Sequence, residues 1–273
     1  MTVTKTKLIA FDMDGTLLNS KHEITENTKK ALIKLYQDGM KLAFITGRVF
    51  ISPVKYAELL NLDITIASTN GALIRDEKGE IFYKKTIDKD ELRLALNLLE
   101  EEGSYFHLYP IDGLITPYKD SPNATNRGRM PRGYDDLLKV RIMNFDEMSS
   151  IDEDIFKIII IEEEDKKRLA FRKKLGQNGI FNSSSWINNI EITNRLANKK
   201  IAIEEIADRY GLSLDEIMVF GDNENDIPMI NEAGIGFLMG NAPENVKKMT
   251  NCEVIGNNND EGVYNKLKEL FNC

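Results

Sequence analysis

Lys7-Leu8-Ile9-Ala10-Phe11-Asp12-Met13-Asp14-Gly15-Thr16 is the stretch on which the fold of this chain turns. A short apolar run that stops at Asp12 and Gly15 predicts a buried strand running into a turn. Residues two apart on extended backbone project to the same side, so Asp12 and Asp14 are expected to reach one site at the strand's end. A capped turn carrying two solvated acids is the competing reading of this pair. A calcium loop would use Asp12, Asp14, Thr16 and Glu23 at positions 1, 3, 5 and 12. It also needs glycine at position 6, where the chain has Leu17, and a helix where Leu8 to Phe11 reads as strand.

Downstream of this stretch, Thr25 is placed to cap a helix through Gln37, with Ala31, Leu32 and Leu35 at helical spacing and Asp38-Gly39 ending it. Lys41 to Ile45 then reads as strand, Val54 to Leu60 as helix and Asp63 to Ala67 as strand. This β-α-β-α-β alternation predicts a parallel sheet with helices on both faces, an α/β fold of Rossmann-like kind. From Asn70 to Tyr83 the pattern becomes a hairpin turning at Asp76 to Gly79. A different, α+β unit follows. It holds a helix from Asp88 to Gly103 opened by the capping-box-like pair Asp88 and Glu91, and a helix from Glu164 to Gly176. Its strands are Tyr105 to Tyr109, Leu114 to Thr116, Phe156 to Ile161, Gly179 to Ser183 and Ile190 to Thr193. The parallel rhythm resumes with a helix from Lys199 to Tyr210, a strand from Ile217 to Phe220, a helix from Ile227 to Glu232, a strand from Gly234 to Leu238 and a last helix from Gly262 to Phe271. The expected division is a discontinuous core, 1–84 and 190–273, with an inserted unit at 85–189.

Composition narrows the function classes. The 273 residues are 42% hydrophobic and 29% charged, with 7 Pro and 18 Gly, which suits one or two globular domains and not a disordered chain. Apolar runs such as Ile155 to Ile161 fall far short of a membrane helix, which needs about 20 residues, and no apolar leader opens the chain. Two cysteines, Cys252 and Cys273, make neither a zinc module nor a disulfide framework, so a cytoplasmic location is expected. A net charge of −8 disfavours a broad nucleic-acid surface while leaving room for a small anionic ligand.

Two further segments follow strands that should end beside Asp12, on the side where parallel sheets bind ligands. In Ile45-Thr46-Gly47-Arg48 a hydroxyl and a glycine amide could cradle a phosphate oxygen, although taken alone Thr46 reads better as a helix N-cap. Gly221-Asp222-Asn223-Glu224-Asn225-Asp226 packs carboxylates and amides at a strand end. Such crowding is costly without a cation, and all-oxygen ligands favour a hard ion such as Mg²⁺. Gly234-Ile235-Gly236 with Gly240 has the wrong spacing and place for a dinucleotide loop. His22 and His107 stand outside any metal-ligand spacing and read as ordinary residues.

Taken in order, Asp12 to Leu17, Ile45 to Arg48, Asn70-Gly71-Ala72, Gly221 to Asp226 and Met239-Gly240-Asn241-Ala242 resemble the haloacid dehalogenase superfamily. Within it they are most similar to the Cof-type phosphatases, whose large α/β cap is inserted after the third core strand. The resemblance implies a magnesium-dependent phosphatase. Asp12 would be the nucleophile, forming an aspartyl-phosphate, and Asp14 the acid and base. Mg²⁺ would be held by the Asp12 carboxylate, the Asp14 backbone carbonyl and Asp222. Thr46, the Gly47 amide, Asn225 and a lysine would hold phosphate oxygens, with Asp226 supporting that lysine. The family pattern reads Lys-Gly where this chain has Lys199-Lys200; alignment by the neighbouring helix favours Lys199 over Lys200 and places a side chain where glycine is usual.

By the same resemblance the cap selects the substrate, and Asn70 and Gly71 are further specificity candidates. Between Lys119 and Arg141 lie six basic residues against three acidic ones, and Arg127, Arg129 and Arg132 are candidates to meet an anionic substrate; a solvated loop is the competing reading. The expected substrate is a small phosphorylated metabolite, a sugar phosphate first and a nucleotide or cofactor phosphate such as FMN or pyridoxal phosphate second. A haloacid dehalogenase has no need of Asp14. A phosphomutase would return phosphate to a sugar. A non-catalytic phosphosugar-binding regulator would keep the fold but has no need of intact Asp12, Asp14, Thr46 and Asp222.

Overall fold

The computed structural model describes residues 3–118, 139–184 and 188–273. The first strand, β1 (Leu8–Phe11), is buried along its whole length, and its alternation sets the layering of the first unit. Ile9 and Phe11 face one apolar layer; Leu8 and Ala10 face another. α1 (Glu26–Gln37) and α2 (Ile51–Leu60) cover the Phe11 side, presenting Leu32, Leu35, Tyr56 and Leu60. Thr25 caps α1 by accepting the Thr28 amide at 3.3 Å. β2 (Lys41–Ile45) lies parallel beside β1, and β3 (Thr65–Ser68) parallel beside β2. β4 (Leu73–Arg75) returns antiparallel to β3, and β5 (Ile81–Lys84) ends that edge of the sheet. The Asn70 to Tyr83 hairpin thus extends the first sheet.

Among the described residues the first unit runs to Tyr83 and resumes at Asn198, with Lys84 to Ala197 forming the second. The second contains α3 (Lys89–Glu102), β6 (Tyr105–Tyr109), β7 (Gly113–Thr116), β8 (Lys139–Ile142), α4 (Phe145–Ser149), β9 (Lys157–Ile161), α5 (Asp165–Gln177), β10 (Asn182–Ser183) and β11 (Asn189–Thr193). Its sheet has the order β10-β11-β9-β6-β7-β8. β11 pairs antiparallel with β9 along its full length, which keeps residues 189–193 in this unit and puts the return later than the expected 189/190 boundary. One face of this sheet packs Phe106, Leu108, Ile158, Ile160, Ile190 and Ile192 under α3 and α5. The capping box expected at α3 does not form: the Asp88 side chain makes no cap bond, and Glu91 hydrogen-bonds the Phe181 backbone instead. Of the predicted strand from Gly179 to Ser183, only Asn182–Ser183 pairs.

The first unit then closes with α6 (Lys199–Tyr210), β12 (Ile217–Gly221), α7 (Ile227–Glu232), β13 (Ile235–Leu238), α8 (Glu244–Lys247), β14 (Glu253–Val254) and α9 (Gly262–Phe271). Its eight strands run in the order β14-β13-β12-β1-β2-β3-β4-β5. β1 is parallel to both β2 and β12, so the strand order reverses there and creates the crevice in which such sheets bind ligands. α6 and α7 supply Ile203, Ile206, Ile227 and Met229 to the layer opposite α1 and α2. No helix among the described residues is long and apolar enough to cross a membrane.

Candidate active site

Strand register brings the site together. Phe11 is level with Phe44 on β2 and with Phe220 on β12, so the chain leaves all three strands at one edge. The Asp12 amide adds a last ladder bond to the Phe220 carbonyl at 2.9 Å, which fixes where Asp12 emerges. Phe11 stacks on Phe220 with centroids 5.2 Å apart, so an apolar floor lies beneath the polar residues.

Asp12, Asp222 and Asp226 each place a carboxylate oxygen within 4.8 Å of the others. They are not equivalent. Asp226 accepts the Lys199 ammonium on Oδ1 at 2.5 Å and the Asp222 and Asn223 amides on Oδ2 at 2.9 Å each, so both of its oxygens are committed. Asp12 shares the same ammonium at 2.6 Å, and Asp222 accepts from the Thr16 hydroxyl at 2.9 Å. Burial pushes the Asp12 carboxyl well above its ordinary value; Lys199 opposes this, and Asp226 and Asp222 add to it. Burial, aided by Asp226, likewise pushes Asp222 up to about 7. Burial works against the Lys199 charge, but the two carboxylates outweigh it and hold the ammonium above its ordinary value. The donor set fits a hard divalent cation: Asp12 and Asp222 are crowded carboxylates whose ionisation a cation would favour, with no sulfur or imidazole among the three.

Two glycines make this approach possible. Gly15 has φ +78°, and a Cβ there would lie 2.3 Å from Asp222 Oδ2. A Cβ on Gly221 would lie 2.4 Å from Asp226 Cβ. Asn241, from the Met239 to Ala242 segment, donates to the Gly15 carbonyl at 2.8 Å and ties the first loop to the last part of the sheet.

Asp14 is turned elsewhere. Its carboxylate is gripped by Arg48, with Nε donating to Oδ2 at 2.7 Å and Nη2 to Oδ1 at 2.6 Å, while His22 Nδ1 stands 3.4 Å from Oδ1. Burial disfavours the Arg48 charge, but the Asp14 carboxylate more than offsets it, so the guanidinium stays above its ordinary value. Arg48 was legible only as the end of the Thr46 motif. Its burial, 2% exposed, is what marks it, and no spacing rule predicts that.

Thr46 does not cap a helix, since α2 begins at Ile51; its hydroxyl accepts the Arg48 amide at 3.2 Å and tightens the loop. The Thr69 amide donates to the Arg48 carbonyl and the Asn70 amide to the Thr46 carbonyl, both at 2.8 Å. Thr69 and Asn70 hold φ of +51° and +57°, an unusual conformation for a β-branched residue. Asn70 Oδ1 accepts from Asn225 at 3.0 Å and faces Gly47, where it would lie 3.2 Å from an added Cβ. Gly71 lets the turn pass α6, because a Cβ there would meet Ala202 at 2.7 Å. Lys199 is 1% exposed and inside the cluster, whereas the Lys200 side chain is 40% exposed and pairs with Glu232. Arg127, Arg129 and Arg132 lie outside the described residues.

A model of the haloacid dehalogenase-like hydrolases matches residues 9–267, spanning both units. The chain belongs to that family. This haloacid dehalogenase-like hydrolase is 30% identical to phosphatase YwpJ of Bacillus subtilis (strain 168), over 97% of this chain and all of the relative. It is 29% identical to the 5-amino-6-(5-phospho-D-ribitylamino)uracil phosphatase YcsE of the same organism, over 96% of this chain and 94% of the relative. Among solved structures, a haloacid dehalogenase-like hydrolase from Bacteroides thetaiotaomicron superposes with a TM-score of 0.86 at 25% identity, over 97% of this chain and all of the other. The α/β core with an inserted α+β unit is therefore the architecture of an enzyme family.

Proposed function

We propose that this hydrolase is a magnesium-dependent phosphatase that cleaves small phosphate monoesters, sugar phosphates foremost, through an aspartyl-phosphate on Asp12. The supporting observation is the Asp12, Lys199, Asp222 and Asp226 cluster at the sheet's switch point, where a buried ammonium and three crowded carboxylates surround one spot. Asp12 and Asp222, with the Asp14 carbonyl, would hold Mg²⁺; when bound it supplies charge neutralisation and orients the phosphoryl group.

In the first step an Asp12 carboxylate oxygen attacks phosphorus, the P–O bond to the ester oxygen breaks, and that oxygen takes a proton from Asp14. In the second step water attacks phosphorus, its proton passes to Asp14, and the P–O bond to Asp12 breaks to release phosphate. Lys199, Thr46, the Gly47 amide and Asn225 hold the non-bridging oxygens, and Asp226 keeps Lys199 in place by occupying its other side. Asn70 orients Asn225 by accepting one of its amide hydrogens. The second unit acts as the cap that selects the leaving group. The net charge of −8 fits a small ligand rather than a nucleic acid, and a cytoplasmic location belongs to the same reading.

A cofactor-type phosphate is the second reading, favoured by the likeness to YcsE, whose name specifies a phosphoribityl substrate. Phosphate release from sugar, nucleotide and cofactor monoesters, with Mg²⁺ or EDTA, tests both readings. Metal-dependent release by the wild type and none by Asp12→Asn is the expected result. Folded wild type that binds Mg²⁺ yet releases phosphate from no ester would transfer the weight to a phosphosugar-binding regulator.

A further inference from the structure

Asp222 emerges from the end of β12, and its carboxylate is met by the loop that follows β1. The Thr16 hydroxyl donates to Oδ1 at 2.9 Å, and Gly15 lies so close that an added Cβ would stand 2.3 Å from Oδ2. Bonds inside the loop give the turn its shape: the Leu17 amide donates to the Asp12 carbonyl at 3.3 Å and the Leu18 amide to the Met13 carbonyl at 2.9 Å. Both run back to the base of the loop, and a turn held only at its base can tilt against Asp222. Asn241 supplies a hold at the tip. β13 lies parallel to β12, and the Met239 amide extends that ladder to the Gly221 carbonyl at 2.9 Å, next to Asp222. Two residues on, the Asn241 carboxamide donates to the Gly15 carbonyl at 2.8 Å and accepts the Asn258 amide at 3.0 Å, so both of its ends are committed and its orientation is fixed. The Asn258 side chain donates to the Leu18 carbonyl at 2.8 Å, and Asn259 Oδ1 accepts the Ser20 amide at the same distance. Three asparagines thus pin the loop at Gly15, Leu18 and Ser20 from 226 to 240 positions away. Their own segment is held by close backbone contact, since a Cβ on Gly262 would lie 2.2 Å from the Gly256 carbonyl oxygen. Asn241 is exposed, so core packing gives no reason for it.

We propose, resting on the Mg²⁺ site in the reading above, that Asn241 is a positioning residue of that site: braced by Asn258, it holds the Gly15 turn against Asp222 and so keeps the Asp222 carboxylate in place for a divalent cation. Asn241 touches neither the cation nor the phosphoryl group in this assignment. Its effect passes through Gly15 and Thr16. Groups that orient a metal ligand from behind govern affinity by about 10–100-fold, which makes the cation affinity the quantity to read.

The test is isothermal titration of the full chain with Mg²⁺, alongside thermal melts in EDTA, for wild type, Asn241→Ala and Asn27→Ala. Asn27 on α1 donates to Glu261 at 3.0 Å, an exposed bond of the same kind and reach that bypasses the Gly15 loop. Asn241→Ala should raise the Mg²⁺ Kd about tenfold. Its midpoint in EDTA should fall by no more than about 4 °C, as for one exposed hydrogen bond. Asn27→Ala should shift the midpoint as little and leave Kd within about twofold. A wild-type Kd in folded Asn241→Ala, whether or not its midpoint falls, overturns the assignment, and so does an equal rise in Kd for both variants. If Asn241→Ala does not fold, Asn258→Ala decides: releasing the Leu18 carbonyl from the same brace should raise Kd beyond the error of the titration, and an unchanged Kd refutes the proposal. Wild type that binds no Mg²⁺ is the separate failure of the metal site itself, and the assignment falls with it. Wild type that binds Mg²⁺ but cleaves no ester is the failure of the phosphatase reading alone, and the comparison of Kd values then still decides for or against Asn241.

Discussion

The Lys199 ammonium lies 2.6 Å from Asp12 Oδ1 although the two residues are 187 positions apart, and both side chains are buried. One end of the sheet is therefore built around an internal ion pair, whose second carboxylate is Asp226. Such a pair stabilises little relative to apolar packing, but breaking it by removing one partner is costly.

Lys199→Met should accordingly destabilise the fold by about 3 kcal/mol, since Asp12 and Asp226 lose the cation between them. Phosphatase activity should vanish with it. Lys200→Ala, by contrast, removes an exposed pair with Glu232 and should leave kcat within about twofold. Urea titration and phosphate release on the two variants check this, and comparable effects at both positions would contradict it.

Mg²⁺ binding at Asp12 and Asp222 should raise the thermal midpoint, because only the folded chain assembles both carboxylates. At about 100 times the dissociation constant the gain is about 2.7 kcal/mol. Asp222→Asn should abolish the Mg²⁺-dependent rise seen by calorimetry. A wild-type midpoint indifferent to Mg²⁺ and EDTA would count against the metal site.

Gly15→Ala is expected to disable the site without replacing an ionisable residue. Its Cβ would collide with Asp222 Oδ2 at 2.3 Å, and φ +78° is strained for any L side chain. A stability loss of roughly 1–3 kcal/mol and loss of the Mg²⁺-dependent rise in thermal midpoint are expected. Retention of wild-type metal affinity by isothermal titration would refute the close approach.

His107 should make the second unit sensitive to acid. Burial between Tyr105 and Tyr109 lowers its pKa from 6.5 to about 4, so the folded state keeps it neutral while the unfolded chain protonates it. The stability this contributes is complete above pH 6.5 and is lost as pH falls towards 4, about 3 kcal/mol over that window. His107→Gln should flatten this pH dependence in urea melts at pH 7, 5.5 and 4.5. An unchanged slope would show that other groups control it.

Much of this was legible locally. The uninterrupted apolar run before Asp12, the Thr25 cap and the helix, strand and glycine alternation are short-range signals, and the strands and helices of the first unit follow them. Signals that depend on a distant partner were not legible. Asp88 and Glu91 have capping-box spacing, but Glu91 is drawn to the Phe181 backbone. The Asn70 to Tyr83 hairpin is legible as a hairpin, but that its first strand pairs with β3 in the first sheet is set by a partner outside the pattern.

For the site, the sequence by itself determined which residue types stand at the ends of which strands, because a buried strand followed by Asp-x-Asp-Gly or Gly-Asp permits little else. Only the tertiary structure decided how those residues divide the work. Parallel register levels Phe11 with Phe44 and Phe220 and so brings Asp12, Thr46 and Asp222 to one edge. The same packing buries Lys199 while leaving Lys200 in solvent, commits both Asp226 oxygens, and turns Asp14 towards a buried Arg48. Burial and pairing are properties of the assembled core, and in sequence neighbouring lysines or alternate aspartates carry no mark of which will be enclosed.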